Sequence, residues 1–203
     1  MHLGKRRVIE FTYGEYPEDS PYFGLFMAII SYSPLVAVIV VSTLTVALRS
    51  WNHFVFFCGL VVSHGLATVI KKTWKQPRPD GAYLSNYGMP SDHSMFMFFI
   101  ATHVISQMWD DAALRRHSFI VSSVGLLTLS GLIGYSRLFL GVHSLEQVIV
   151  GVAFGVILGR VWYNVSKLYV LKWSGLSHFF DRFHGTIGFV FYATMDSNRS
   201  KYQ

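Results

Sequence analysis

The sequence is poor in charged residues and in cysteine. Charged residues make up only 14 % of the chain and hydrophobic residues 52 %, whereas about a quarter of the residues of a soluble domain are charged. This deficit argues against an ordinary soluble enzyme and indicates that lipid surrounds much of the chain. Cys58 is the lone cysteine, which excludes a disulfide within the chain.

Metal-binding motifs are also missing. The sequence contains neither an HExxH motif nor a cluster of histidines and cysteines. We therefore predict no metal and no cofactor. The net charge of +6 fits an anionic substrate, anionic lipid headgroups, or the basic bias of cytoplasmic loops. We predict no nucleic-acid partner.

Five apolar stretches approach the length of about 20 residues that crosses a bilayer. They lie at 23–48, 51–70, 93–109, 119–135 and 148–169. The sequence therefore predicts an all-α fold, a polytopic transmembrane helical bundle with about five spans. We divide the chain into an N-terminal polar segment (1–22), a transmembrane domain (23–170) and a C-terminal tail (171–203) with a candidate interfacial segment, GTIGFVFYATM.

Two connections between the spans are polar. KKTWKQPRPDGAYLSNYGMPSDHS joins the second and third spans, and SRLFLGVHSLEQ joins the fourth and fifth. Because these connections are two spans apart, they emerge on the same side of the membrane. Irregular backbone at membrane depth needs internal partners or a watery cavity. We therefore expect both connections to build one polar pocket at a membrane face.

Several residues of these connections suit a phosphate. Lys71, Arg78 and Arg137 supply positive charge, and a guanidinium can bind phosphate oxygens through two donors. Ser91 is a good N-cap for the third span, where free N–H groups attract anions. The alternatives stay open at this point, since basic residues often merely flank spans and Ser91 can be a cap without a ligand.

His93 and His143 differ from the other histidines because each lies beside these groups at a span boundary. A neutral imidazole can attack phosphorus, and a protonated one can give a proton to the leaving oxygen. Gln147 follows His143 by four residues and shares its helical face. Its amide oxygen is placed to accept from His143 Nδ1–H, and Glu146 is the alternative orienting residue.

The order and spacing of these residues resemble the three-part signature of the type 2 phosphatidic acid phosphatase superfamily. The matching elements are Lys71 with Arg78-Pro79, the segment PSDH that ends at His93, and Ser136-Arg137 with His143. Within the superfamily, the words KQPRP, YGMPSDHSMFM, YSRLFLGVH, EQVIVG and YGEYPEDS resemble the dolichyl-diphosphatase subfamily most.

The resemblance implies a metal-independent phosphatase. His143 would form a phosphohistidine, and His93 would protonate the leaving lipid phosphate. The phosphoryl oxygens would be held by Lys71, Arg78, Ser91, Arg137 and backbone N–H groups near Asp92. The implied substrate is dolichyl diphosphate, whose hydrolysis recycles the lipid carrier for protein N-glycosylation. The implied location is the endoplasmic reticulum membrane, with the site facing the lumen.

Two residues depart from the usual superfamily pattern. Gln147 stands where the superfamily usually has aspartate. The dolichyl-diphosphatases and the glucose-6-phosphatases resemble this chain in having glutamine there, so Gln147 favours a subfamily and does not argue for an inactive enzyme. Asp92 replaces a small residue, and its carboxylate should repel a phosphate unless it turns away. Two alternatives remain: a phosphatase for another lipid phosphate or polyprenyl diphosphate, or a non-catalytic membrane protein that binds lipid phosphates. The presence of both His93 and His143 argues against the second, because a mere binder needs neither an acid nor a nucleophile.

Overall fold

The protein is a bundle of helices preceded by a short β-hairpin. The computed structural model describes residues 6–9, 14–48, 51–111 and 116–170, so the predicted interfacial segment lies outside the described residues. The elements are β1 (Arg6–Ile9), β2 (Gly14–Pro17), α1 (Pro21–Ile30), α2 (Ser33–Leu48), α3 (Trp51–Trp74), α4 (Asp92–Trp109), α5 (Arg116–Phe139) and α6 (Leu145–Val165), followed by a wider π-helical turn at Ser166–Val170. The predicted helical membrane bundle is confirmed.

Four described segments are long and apolar enough to cross a membrane: Pro21–Leu48, Trp51–Trp74, Arg116–Phe139 and Leu145–Leu168. Their many exposed valine, leucine and isoleucine side chains form the surface that meets lipid. The remaining predicted span, α4, is the most enclosed helix. Met95, Phe99 and Ala101 are all at most 1 % exposed, because α4 packs against α3, α5 and α6.

The first span is interrupted, whereas the sequence predicted a continuous segment. Ser31 and Tyr32 separate α1 from α2. The Ser31 hydroxyl donates to the carbonyl of Ala28, and the Ser33 hydroxyl to that of Ile30, each at 2.7 Å. Such side-chain bonds compete with the helical pattern, and Pro34 brings no N–H to the first turn of α2.

The helices that border the polar connections extend further into them than predicted. Helix α5 continues to Phe139, so Arg137 lies in its last turn and not at the start of the connection. Helix α6 begins at Leu145 because Ser144 and Gln147 form a capping box, in which each side chain accepts from the other's backbone N–H. Both shifts shorten the second connection to a tight turn.

Helices α4 and α6 approach closely along a row of glycines. A side chain at Gly151 would come within 2.7 Å of the Ser91 carbonyl oxygen, and one at Gly159 equally near that of Phe99. Small residues allow such backbone approach in membrane bundles. The approach lets the Ser91 N–H donate to the Gln147 carbonyl across the two helices at 2.9 Å, which joins the ends that carry the predicted site.

The β-hairpin is the element that the sequence did not predict. Strands β1 and β2 are antiparallel, with Arg6 opposite Pro17 and Val8 opposite Glu15. Tyr16 packs against a buried cluster of Met27, Ala28, Leu140 and Val142. The predicted polar segment 1–22 therefore touches the helical domain next to the second polar connection.

Candidate active site

The two polar connections meet, as their predicted placement on one face requires. Arg78 Nη1 donates to the carbonyl of Val142 at 2.6 Å. The Gln147 amide Nε2 donates to the carbonyl of Pro77 at 2.8 Å. Arg78 of the first connection thus donates to the second connection, and Gln147 of the second connection donates to the first. Together they hold the backbone on either side of one polar site.

His143 lies at the centre of this site and is 3 % exposed. Its Nδ1 is 3.1 Å from Gln147 Oε1, and its Nε2 is 2.9 Å from Arg78 Nη1. A guanidinium only donates hydrogen bonds, so Nε2 must accept. Nδ1 therefore carries the proton and donates to Gln147. This tautomer leaves the lone pair of Nε2 pointing toward the cation.

The Gln147 side chain is itself immobilised. Its oxygen also accepts from the Ser144 N–H at 3.3 Å, its nitrogen donates to Pro77, and the residue is 1 % exposed. Glu146, the alternative orienting residue, is exposed on α6. Gln147, and not Glu146, therefore forms the hydrogen bond with His143. The role of Gln147 in catalysis stays a prediction.

The surroundings of His143 keep its imidazole neutral. Burial, followed by the positive charges of Arg78 and Arg137, lowers the pKa of His143 from 6.5 to about 2, and the Gln147 hydrogen bond only partly opposes this. Burial also lowers the pKa of Arg78 from its ordinary value. A neutral imidazole surrounded by cations has the properties of a nucleophile that attacks an anionic phosphoryl group.

Three cations act on His143: Lys71, Arg78 and Arg137. The Arg78 guanidinium is held by Asn86, whose side-chain oxygen accepts from Nε at 2.8 Å. Arg137 is 4 % exposed, and its buried Nε has no hydrogen-bond partner. Such a buried donor costs free energy unless a ligand satisfies it, so Arg137 is suited to hold a phosphoryl oxygen.

Lys71 is partly neutralised by Asp92. Lys71 Nζ forms an ion pair with Asp92 Oδ2, while Asp92 Oδ1 is buried without a hydrogen-bond partner. The carboxylate therefore points to the lysine instead of capping α4. The ion pair with Lys71 reduces the repulsion between the Asp92 carboxylate and a phosphate but does not remove it, because Lys71 would have to interact with both anions.

Ser91 and His93 lie at the start of α4. Ser91 is the N-cap and fully buried, but its side chain makes no capping bond; its hydroxyl accepts from Ser94 at 3.1 Å. The cap function expected for the Ser91 hydroxyl is therefore absent. His93 is half-buried in the first turn, and Arg137, Lys71 and Arg78 all act on it electrostatically.

Sequence reasoning missed three supporting residues: Pro77, Asn86 and Gly88. Pro77 contributes the carbonyl that receives Gln147, and Asn86 orients Arg78. A side chain at Gly88 would come within 2.6 Å of Gln147 Cδ, so only glycine leaves room for that amide. Of the three, only Gly88 could have been noticed in the sequence, because a glycine can mark a close approach of the backbone. A backbone carbonyl such as that of Pro77 and an exposed asparagine such as Asn86 leave no recognisable pattern in a single sequence.

A cavity of about 440 Å³ adjoins the site between α2, α3 and α4. Asp92 and His93 line it at the polar end. Its other walls are largely apolar, and they include Leu35, Phe57 and Phe96. The cavity therefore joins a phosphate-binding region to a surface suited to hydrocarbon.

Among the described residues, no group of three or more histidine, cysteine or acidic side chains is arranged to hold a metal ion. Asp92, the acidic residue at the start of α4, is engaged by Lys71. The prediction of a site without a metal therefore rests on the chemistry of its side chains, which are basic and not carboxylate-rich.

Comparison with known proteins shows the family of the chain. The family profile of the PAP2 superfamily matches residues 52–169. The chain is 36 % identical to Dolichyldiphosphatase 1 of Dictyostelium discoideum, over 77 % of this chain and 70 % of that protein. It is 33 % identical to Dolichyldiphosphatase 1 of Rhinolophus ferrumequinum, over 79 % of this chain and 72 % of that protein.

The fold also matches a solved structure. A transmembrane PAP2-type phosphatidylglycerolphosphate phosphatase from Bacillus subtilis superposes with a TM-score of 0.63, covering 73 % of this chain and 79 % of that one, at 19 % identity. The likeness supports the membrane-helical architecture alone. The profile match and the relatives confirm the resemblance drawn from the motifs: the chain belongs to the PAP2 superfamily.

Proposed function

We propose that this protein hydrolyses dolichyl diphosphate to dolichyl phosphate and inorganic phosphate. The observation that carries the proposal is His143, a buried neutral imidazole. Gln147 holds its Nδ1, Arg78 contacts its Nε2, and Arg137 and Lys71 act on it electrostatically. The relatives named dolichyldiphosphatase support the choice of substrate. Recycling of the lipid carrier for N-glycosylation follows from the product.

The reaction would proceed in two displacements. His143 Nε2 attacks the terminal phosphorus, and the bond from that phosphorus to the bridging oxygen breaks. His93 gives its proton to the departing dolichyl phosphate. Water then attacks the phosphohistidine, His93 takes a proton from the water, and His143 is released as inorganic phosphate forms. Lys71, Arg78 and Arg137 stabilise the phosphoryl oxygens in both steps.

A diphosphate suits the charge of the first connection. Three cations beside His143 are assigned to the terminal phosphoryl group, which leaves the second phosphate without a partner. Lys72 and Lys75 are exposed at the end of α3 and directly after it, so their ammonium groups are free to meet it. The leaving phosphate monoester also departs more readily than a lipid alkoxide would.

The cavity between α2, α3 and α4 provides a path for the lipid. Its polar end contains His93, the proposed acid, and its apolar walls suit an isoprenoid chain. A long tail can therefore remain in hydrocarbon while the diphosphate reaches the polar connections. This arrangement favours a membrane lipid over a soluble phosphate ester.

The test is a comparison of kcat/KM on dolichyl diphosphate, dolichyl monophosphate and phosphatidate, using purified protein with and without chelator. We expect the diphosphate to be preferred and the chelator to have no effect. Equal or better efficiency on either monophosphate would overturn the substrate. Lipid binding without any phosphate release would instead support the non-catalytic alternative.

A matched pair of variants tests how the second phosphate is bound. Lys72→Ala with Lys75→Ala should lower diphosphate turnover more than monophosphate turnover. Lys167→Ala, at the opposite end of the bundle in the turn that follows α6, is the control. Equal losses on both substrates would show that Lys72 and Lys75 do not bind the second phosphate.

The proposed location is the endoplasmic reticulum membrane with the site in the lumen. Basic residues favour a cytoplasmic C-terminus only slightly, so the resemblance carries this assignment. The sequon at Asn198 lies outside the described residues. With five spans and a lumenal site, Asn198 faces the cytosol and stays unglycosylated; a glycan there would refute the orientation or the odd number of spans.

A further inference from the structure

Arg6, the first residue of β1, contacts the turn between α5 and α6. Its Nη1 donates to the carbonyl of Leu140 at 3.2 Å. The same nitrogen is 3.8 Å from Glu15 Oε2 on β2, and the Arg6 side chain is only 17 % exposed. The arginine is therefore an enclosed, charge-balanced bridge between the hairpin and the helical bundle.

The turn that Arg6 contacts leads directly to His143. Gly141 has φ +67°, the left-handed region that favours glycine, and a side chain there would lie 3.1 Å from Arg6 Nη2. The N–H groups of Val142 and His143 both donate to the Arg137 carbonyl, at 3.1 and 3.3 Å. The chain thus wraps tightly around the end of α5 before it reaches the histidine.

Two arginines hold this turn from different parts of the chain. Arg78 donates to the Val142 carbonyl, and Arg6 donates to the Leu140 carbonyl two residues earlier. The carbonyls of Leu140 and Val142 lie in the turn beyond Phe139, the last residue of α5. Both residues are buried, and buried backbone carbonyls need hydrogen-bond donors. A guanidinium on each of them fixes the turn on both sides of Gly141.

We propose that Arg6 is a positioning residue of the active site, which places His143 for attack by fixing the Leu140–Val142 turn. The inference rests on the proposed role of His143 as nucleophile. It also makes the hairpin part of the catalytic assembly. The hairpin precedes residues 52–169, the part that matches the PAP2 family profile, so Arg6 lies outside the segment that the profile covers.

The hairpin has a second anchor, which makes Arg6 testable. Tyr16 packs on α1 beside Gly24 and against the buried Leu140 cluster. Loss of the Arg6 guanidinium therefore leaves that apolar contact in place. Arg7 is the matched control: it is the next residue on β1, its side chain is 53 % exposed, and it pairs with Glu18 at 3.4 Å.

The experiment compares Arg6→Ala, Arg6→Lys and Arg7→Ala in the full chain, with dolichyl diphosphate as substrate. We expect Arg6→Ala to lower kcat by about 10- to 100-fold with KM within twofold, because a small displacement of a reacting group is costly. Rapid-quench trapping should show phosphohistidine formation slowed by the same factor. Free guanidinium at millimolar concentration should restore part of kcat. Arg7→Ala should match the wild type.

Arg6→Lys keeps the positive charge and tests the proposal if the alanine variant fails to fold. We expect a folded Arg6→Lys protein with an intermediate kcat. Wild-type kcat in folded Arg6→Lys, or an Arg6→Ala loss carried by KM alone, would overturn the positioning role. Absence of turnover in the wild type would instead defeat the proposed function, so the two failures are distinguishable.

Discussion

Arg78 Nη1 lies 2.9 Å from His143 Nε2, the nitrogen proposed to attack phosphorus. The same Arg78 nitrogen also donates to Val142. The guanidinium therefore covers the lone pair of the proposed nucleophile. A phosphoryl group offers the guanidinium oxygen acceptors with stronger, charge-assisted bonds. We therefore expect substrate binding to draw the guanidinium onto the phosphate and to uncover Nε2.

The first prediction concerns Arg78. Arg78→Ala should lower kcat/KM by about 100-fold or more, as expected for loss of a donor to transition-state charge. Arg78→Lys should not restore the rate, because an ammonium lacks the planar fork that reaches Asn86 and Val142 together. The control is Arg116→Ala, at the exposed start of α5. Full activity in Arg78→Lys would show that charge alone is required.

The second prediction separates the two histidines. His143→Ala should abolish turnover and any acid-labile phosphoenzyme, because no other described group replaces its Nε2. His93→Ala should slow turnover by about 100-fold or more, as expected for a lost general acid. Quench-flow with labelled terminal phosphate measures both effects. Wild-type turnover in His143→Ala would refute the mechanism.

The third prediction follows from the pKa of His143. Burial and the neighbouring arginines lower that pKa to about 2, so the imidazole should stay neutral with its proton on Nδ1 at pH 5. Nitrogen-15 spectra of histidine-labelled protein measure this, with His143→Ala used for assignment. Imidazolium shifts from His143 at pH 5 would contradict the prediction.

The same depressed pKa has a consequence for stability. The unfolded histidine binds its proton below about pH 6.5, whereas the folded one does not until about pH 2. The unfolded state therefore takes up more protons between these values. The contribution of His143 to folding is present above about pH 6.5 and is lost as the pH falls below it.

The positions of the spans and of the motifs could be predicted from the sequence, because both depend on local patterns. Five apolar runs predicted the membrane-spanning helices, and the spacing of Arg137 and His143 predicted the candidate site. The break in the first span at Ser31 was not predicted, because hydropathy is averaged over a window of residues and the residues on both sides of the break are apolar. The β-hairpin was not predicted because strands of four residues show little alternation of polar and apolar residues. Its contact with Leu140 joins residues 134 positions apart in the sequence, which a local pattern does not reveal.

The fourth prediction tests the orienting residue. Gln147→Ala should lower kcat by about tenfold or more while KM stays nearly unchanged, because His143 would lose the bond that fixes its tautomer. Gln147→Asp should retain part of the activity, since a carboxylate can accept from Nδ1–H. Glu146→Ala is the control on the exposed face of α6. A silent Gln147→Ala with a crippled Glu146→Ala would reverse the assignment.

The fifth prediction concerns Asp92, which forms an ion pair with Lys71. Asp92→Asn removes a negative charge next to the phosphate region and frees Lys71 to meet an anion. Vanadate, which imitates five-coordinate phosphorus, should therefore inhibit this variant at a concentration about tenfold lower than the wild type, a plausible size for one close charge in a partly buried site.

Asp80→Asn provides the control for Asp92→Asn, because Asp80 is exposed in the same connection and changes net charge equally. The thermal midpoint of Asp92→Asn should fall, since Lys71 is 11 % exposed at its side chain and would lose its ion-pair partner in the free protein. An unchanged inhibition constant for vanadate would mean that Asp92 does not compete with phosphate for Lys71. The ion pair would then act only to hold α3 against α4.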